Sequence, residues 1–175
     1  MRPKHFTVED AFYFITTHCS RGSTPFTAKG ASETFLKSLK DKQQEIDFGL
    51  LAYVLMPNHY HLLLQLPAKI SISKLMNHIN GASSRMVNAG LPKPLKHLWQ
   101  GGFHDVVVES ARNFAIKINY IHDNPVRWNL VTNAVDYAYS SARFYLDKLG
   151  NPYLDPMSFD DFGLLGLTES VHTVI

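Results

Sequence analysis

The stretch FGLLAYVLMPNHYHLLLQL, residues 48–66, decides the fold. Two apolar runs, Phe48 to Leu55 and His59 to Leu66, are separated only by Met56, Pro57 and Asn58. Each run has strand length, and proline with asparagine in so short a link makes a tight hairpin. Side chains alternate across a strand, so His59, His61, Leu63 and Gln65 share one face. Tyr60, Leu62, Leu64 and Leu66 share the other, which is the core side.

Before the hairpin, Ser32 to Glu45 places Phe35, Leu36 and Leu39 on one face and Lys37, Lys40 and Lys42 elsewhere, an amphipathic helix. A loop with Gly22, Pro25 and Gly30 precedes it, and Ala11 to Cys19 (AFYFITTHC) reads as a strand from its β-branched and aromatic content. After the hairpin, Ser71 caps a second helix carrying Ile72, Leu75, Met76, Ile79, Met86 and Val87 at helical spacing, ending near Gly90. Residues 91–102 hold two prolines and two glycines and form a loop. Phe103 to Val108 is a fourth strand. Ser110 caps a third helix, expected to close at Asn124 because Pro125 pushes the residue before it out of the helical region. A last helix starts near Ser140 or Ser141. The order β-α-β-β-α-β predicts an α+β, ferredoxin-like split βαβ fold with a central antiparallel sheet and additional C-terminal helices. One sheet face would lie under the first two helices, and the other would be available for a site.

With 175 residues, 45% of them hydrophobic, the chain can bury one ordinary core. No uniformly apolar run is long enough to span a bilayer, and no secretory signal is read at the start. The single cysteine, Cys19, excludes an intrachain disulfide and agrees with a reducing, cytoplasmic location. Charge is uneven. Residues 1–150 carry all 17 Lys and Arg and net +6, whereas residues 151–175 carry Asp155, Asp160, Asp161 and Glu169 and net −4. A mildly basic body permits a polyanionic partner without demanding one. The expected division is a domain over 1–150 and an acidic tail over 151–175, the tail lying over the positive surface or free in solvent.

His59 and His61 can turn two neutral imidazole nitrogens toward one divalent ion and leave coordination positions open for a substrate oxygen. The spacing alone is a weak sign, since nine histidines give roughly 0.4 such pairs by chance. Hydrogen-bonded strand histidines without chemistry fit it as well. On the third helix, Phe114, Ile118 and Ile121 form the packing side, while Asn113, Lys117, Tyr120 and Asn124 form a polar stripe. A free phenol, with pKa near 10, is only about 0.1% ionised at pH 7. As a nucleophile Tyr120 would need a cation nearby and a polarised electrophile. A rim tyrosine and an asparagine that only caps the helix remain the alternatives.

Four segments carry a resemblance. Met56 to Leu64 (MPNHYHLLL) resembles the MPNHxHLL signature of HUH single-tyrosine transposases, and Tyr120 to Arg127 (YIHDNPVR) resembles their YIHxNPVR segment. Trp99 to Asp105 (WQGGFHD) and Asp136 to Ser141 (DYAYSS) are similar to the REP-associated branch of that family. The resemblance implies a catalytic domain acting on single-stranded or hairpin DNA, with Mg²⁺ or Mn²⁺ held by His59, His61 and Asn124. Tyr120 would attack a phosphodiester to leave a 5′-phosphotyrosyl link and a free 3′-hydroxyl, with no nucleotide cofactor. A small Ala-Gly-like pair commonly follows NPVR in the family; here Trp128 and Asn129 stand there.

Further expectations are DNA contacts from Lys117 and Arg127 beside Tyr120, and from Lys93, Lys96 and Trp99 in the loop, where cations and a flat ring suit a single strand. Trp99 packed in the core is the competing expectation. Asp105 would orient a metal-binding histidine, with ordinary strand-end hydrogen bonding as the competing expectation. Monomer and homodimer are both open, and no membrane contact is implied. The rival functions are a catalytically silent hairpin-DNA-binding protein of the same fold and a metal hydrolase with a water nucleophile.

Overall fold

A computed structural model describes residues 7, 8, 10–158 and 161. The four strands are β1 (Phe12–His18), β2 (Gly49–Met56), β3 (His59–Gln65) and β4 (His104–Val108). The helices are α1 (Ala31–Ile46), α2 (Ile72–Gly90), α3 (Ala111–Arg127) and α4 (Ala142–Leu146). The sheet runs β2-β3-β1-β4 with every neighbouring pair antiparallel, so β3 is inserted between β1 and β2. That is the expected ferredoxin-like arrangement.

The hairpin turn has only two residues, Pro57 and Asn58, since Met56 already pairs with His59. The turn is tied to the end of β1, where the Cys19 N–H donates to the Asn58 carbonyl at 2.7 Å. Ser71 and Ser110 accept from the N–H groups of Lys74 and Asn113, each at 3.2 Å, and cap α2 and α3 as read from the sequence. Each such cap is worth about 1 kcal/mol.

The sheet divides the interior into two layers. On one face Tyr13, Ile15, Tyr53, Tyr60, Leu62 and Leu64 pack under α1 and α2, through Phe35, Leu36, Leu39, Leu75, Met76 and Ile79. On the other, Phe14, Ala52, Val54, Met56 and Leu63 pack against Phe114, Ala115, Ile118 and Ile121 of α3. At a register shift between Leu50 and Ala52, Leu51 and Ala52 both join the α3 layer, and the whole strand is buried. The outer edge of β2 is not left open. The Leu55 N–H donates to Tyr139 O at 2.9 Å and the Ser141 N–H to Tyr53 O at 3.0 Å, which covers an edge that would otherwise template pairing with another chain.

Two expectations need correction. Pro125 does not close α3, which continues to Arg127. Ile121, His122, Asn124 and Pro125 are all buried, and Trp128 N–H to Asn124 O at 3.1 Å and Leu130 N–H to Pro125 O at 2.9 Å carry the last turn. Packing of that turn outweighs the bias of the residue before proline. The boundary expected at Gly150 also falls inside the packed unit. Leu154 belongs to the core, its carbonyl accepts from Tyr53 Oη at 2.7 Å, and the Met157 N–H donates to Leu50 O at 2.8 Å. Residues 151–158 thus pack on the β2 side. Asp160 and Glu169 of the acidic tail lie outside the described residues. Among the described residues, no helix is long and apolar enough to cross a membrane.

Candidate active site

β3 carries His59 and His61 on the α3 face, and α3 lays Tyr120 over them. The His59 and His61 ring centroids are 4.9 Å apart, and Tyr120 lies 5.2 Å from His61, edge to face. Phe14 of β1 stacks on His61 at 5.3 Å and meets Tyr120 at 5.8 Å, which fixes both rings from below. Along α3 the polar stripe descends from solvent into the protein: Asn113 is exposed, Lys117 half-buried, Tyr120 37% exposed and Asn124 only 2%.

Each imidazole is oriented through Nδ1. His59 Nδ1 lies 2.7 Å from Asn58 Oδ1, and His61 Nδ1 lies 2.9 Å from Thr16 Oγ1. With Nδ1 protonated toward these oxygens, each Nε2 presents a lone pair. Burial, with His18 beside it, pushes the His59 pKa down to about 4. Burial, with His59 and His18 nearby, pushes His61 down to about 3. Both are therefore neutral at pH 7, the form that ligates a metal.

Two buried polar atoms here lack hydrogen-bond partners: His61 Nε2 and Asn124 Oδ1. Asn124 is close enough to His59 to favour its protonated form, yet Oδ1 has no partner of good geometry. Orphaned buried lone pairs are costly and need an explanation. A divalent cation supplies one, and the residues fit it: two imidazole nitrogens and an amide oxygen, with further positions open. Among the described residues no group of three or more His, Cys, Asp or Glu side chains is placed to hold a metal ion, so a third protein ligand here would be the Asn124 amide.

Two cations flank the phenol. The Arg127 guanidinium lies 5.5 Å from the Tyr120 ring centre, and Lys117 Nζ lies 4.5 Å over Phe14. A family model described as "Transposase IS200 like" matches residues 8–124, two thirds of the chain, and ends on Asn124.

The chain belongs to the IS200-like transposase family.

One curated relative, provisionally named a REP-associated tyrosine transposase, from Haemophilus influenzae, is 28% identical over 116 residues. That match covers 61% of this IS200-like chain, which spans 66% of the relative's length. A solved REP-associated tyrosine transposase bound to a REP hairpin shares the fold with TM-score 0.68 and 21% identity, over 81% of this chain and 82% of that one. A provisionally named transposase from Deinococcus radiodurans shares it at TM-score 0.51 and 19% identity, over 67% of this chain and 93% of that one.

In this IS200-like chain the remaining expected site residues are scattered. Trp99 is 8% exposed in the core, ringed by Phe26, Phe35 and Tyr60, with its N–H on Ser83 Oγ at 3.1 Å. No open face is left on which a base could stack, so its expected DNA contact is corrected. Lys93 and Lys96 are exposed in the loop after α2, Lys93 lining a cleft with Pro25 and Ala28; neither belongs to the Tyr120–His61 cluster. Asp105 pairs with Ile15, which faces α1 and α2. Alternation therefore puts Asp105 on the opposite side of the sheet from His61, and its expected role as a histidine-orienting group is corrected.

Thr16 and Asn58 take that role, and sequence reading passed over both. Thr16 shares a β1 face with Phe14 and His18, so two polar positions on that one face were the available signal. His18 stacks on His59 at 5.3 Å. With His104, which pairs opposite Thr16, it lines a cleft of about 210 Å³ floored by Gln100, Gly101 and Gly102.

Proposed function

We propose that this chain cleaves and rejoins single-stranded DNA through a 5′-phosphotyrosine on Tyr120, as a DNA transposase acting beside palindromic, REP-like hairpins. One observation carries the reading: a phenol packed 5.2 Å from an imidazole whose Nε2, like the nearby Asn124 Oδ1, is buried and unpaired. Family membership supports it, as does the REP hairpin bound by the solved relative.

The residues divide the work. Lys117 and Arg127 attract the DNA backbone to the Tyr120 end of α3 and offset negative charge as it develops on the phenol oxygen. Tyr120 Oη attacks the phosphorus, forming the Oη–P bond as the P–O3′ bond breaks. The phenol proton is released, and the departing 3′ oxygen takes up a proton to become a hydroxyl. Phe14 and His61 hold the ring so that attack starts from a fixed orientation. Mg²⁺ or Mn²⁺ held by His59, His61 and Asn124 would polarise a phosphate oxygen and stabilise the charge that builds on it. Attack by a second 3′-hydroxyl reverses the step and joins new ends, without a nucleotide cofactor. Lys93 and Lys96 would extend the cationic surface to DNA beyond the cleavage centre.

The test is incubation with Mn²⁺ and hairpin-bearing single-stranded DNA, followed by denaturing electrophoresis. A protein–DNA adduct present with wild type and absent with Tyr120→Phe is expected. Binding without adduct would mark a catalytically silent DNA-binding protein, and cleavage that survives Tyr120→Phe would mark a water nucleophile.

A further inference from the structure

The chain has two tryptophans, and they are used in opposite ways. Trp99 fills the core, 8% exposed and hydrogen-bonded through its N–H. Trp128 is 60% exposed, the most exposed large apolar side chain among the described residues. An indole left in water gains nothing for folding, since stabilisation scales with the apolar area removed from solvent.

The backbone at Trp128 is nevertheless held firmly. The residue is the C-cap of α3, and the Trp128 backbone N–H donates to Asn124 O at 3.1 Å, so the turn that carries the indole also carries Asn124. Asn129 follows in the left-handed region at φ 54° and donates to Val126 O at 2.9 Å, closing that turn. The indole centroid lies 5.8 Å from His59. Trp128, His59, His61 and Tyr120 therefore form a row of four rings, with successive centroids 5.8, 4.9 and 5.2 Å apart. The phenol closes one end of the row and an open π surface the other, with the exposed Arg127 next to that surface in the chain.

We infer that Trp128 is a stacking platform for the nucleobase flanking the scissile phosphate, and so a residue that binds the unpaired strand through its bases. The inference rests on reading the histidine–Tyr120 cluster as a DNA cleavage centre. A phosphate at the Tyr120 end of the row brings a neighbouring base within reach of the indole, and every base offers a π face to an aromatic ring. Stacking there orders the unpaired strand along the row and leaves phosphate contacts to Lys117 and Arg127.

The test separates base from backbone. Tyr120→Phe protein is titrated with oligothymidylate of about 16 nucleotides and with an abasic deoxyribose-phosphate chain of equal length, and tryptophan emission is followed. Oligothymidylate is expected to quench emission and to bind roughly ten-fold more tightly than the abasic chain. Adding Trp128→Ala should remove both differences and leave the salt dependence of binding unchanged, while Trp128→Phe should restore part of the affinity. Circular dichroism confirms the fold of each variant. Equal binding of the two chains by Tyr120→Phe protein, or quenching that persists in Trp128→Ala, would overturn the inference. The adduct assay is scored apart. Adduct formation without any base dependence sinks Trp128 alone. Base-dependent quenching without adduct sustains Trp128 and sinks the cleavage chemistry.

Discussion

His61 and Tyr120 meet edge to face, with ring planes 72° apart and centroids separated by 5.2 Å. The phenol is held by ring packing to a half-apolar, half-polar surface, so its hydroxyl can be removed without disturbing what positions the ring. Tyr120→Phe should abolish adduct formation while changing stability by no more than about 0.5 kcal/mol, as for other surface substitutions. Denaturant unfolding beside the adduct assay checks this; a large loss of stability would mean that the hydroxyl serves the fold.

Thr16 Oγ1 lies 2.9 Å from His61 Nδ1 and engages the ring through that nitrogen, on the side away from Nε2. Thr16→Val keeps the side-chain volume and removes the oxygen. Partners of this kind typically govern roughly 10- to 100-fold in metal affinity. Calorimetric titration with Mn²⁺ should show a loss of that order, and unchanged affinity would separate Thr16 from the metal site.

Acid should destabilise the metal-free protein. His59, His61 and His122 have pKa values lowered from 6.5 to about 4, 3 and 3, burial being the largest cause in each case. Each folded-state value is depressed, so the unfolded chain binds more protons below 6.5. The stabilising contribution is whole above pH 6.5 and is lost as pH falls toward 4 to 3. Within that window each such histidine adds a slope of about 1.4 kcal/mol per pH unit. Urea midpoints measured from pH 7.5 to 5 should fall, and addition of Mn²⁺ at pH 7 should raise them if the cluster binds it.

Leu154 is 3% exposed in the core although it follows Gly150, so its loss should be felt globally. Leu154→Ala should cost about 2–4 kcal/mol, and a chain ending at Gly150 should be less stable than one ending at Ser158. The shorter chain is therefore the wrong probe of the acidic tail. A chain ending at Ser158 keeps Leu154 and removes Asp160, Asp161 and Glu169. Tighter binding of single-stranded DNA by it would show that those carboxylates compete with DNA, and equal binding would show that they do not.

Most of the sheet was legible because periodicity and turn residues act locally. The PN turn, the alternation after it and the serines before α2 and α3 each fix structure within a few residues. The packing of Tyr120 against His61 follows from the same local rules, once a helix must cover the histidine face. What stayed hidden depends on register. Thr16 and Asp105 look equally suited to orient a histidine, and only the pairing of Thr16 with His61 and of Asp105 with Ile15 tells them apart. Pro125 misleads for a related reason: local bias argues against helix there, and burial of the last turn prevails. Trp99 takes the core place instead of the DNA-facing one because an indole is needed to fill space between Phe26, Phe35 and Tyr60.

The two-layer interior separates durability from reactivity. Tyr13, Ile15, Leu62 and Leu64 lie with α1 and α2 on the side that no histidine of the cluster faces. A lineage carrying this architecture can therefore shed the half-exposed phenol hydroxyl and inherit an intact scaffold, whereas erosion at Leu36 or Leu62 endangers the whole chain. On the proposed reading, a variant that loses only the Tyr120 hydroxyl should melt much like the parent chain, so calorimetry alone would not tell a cleaving protein from a silent one.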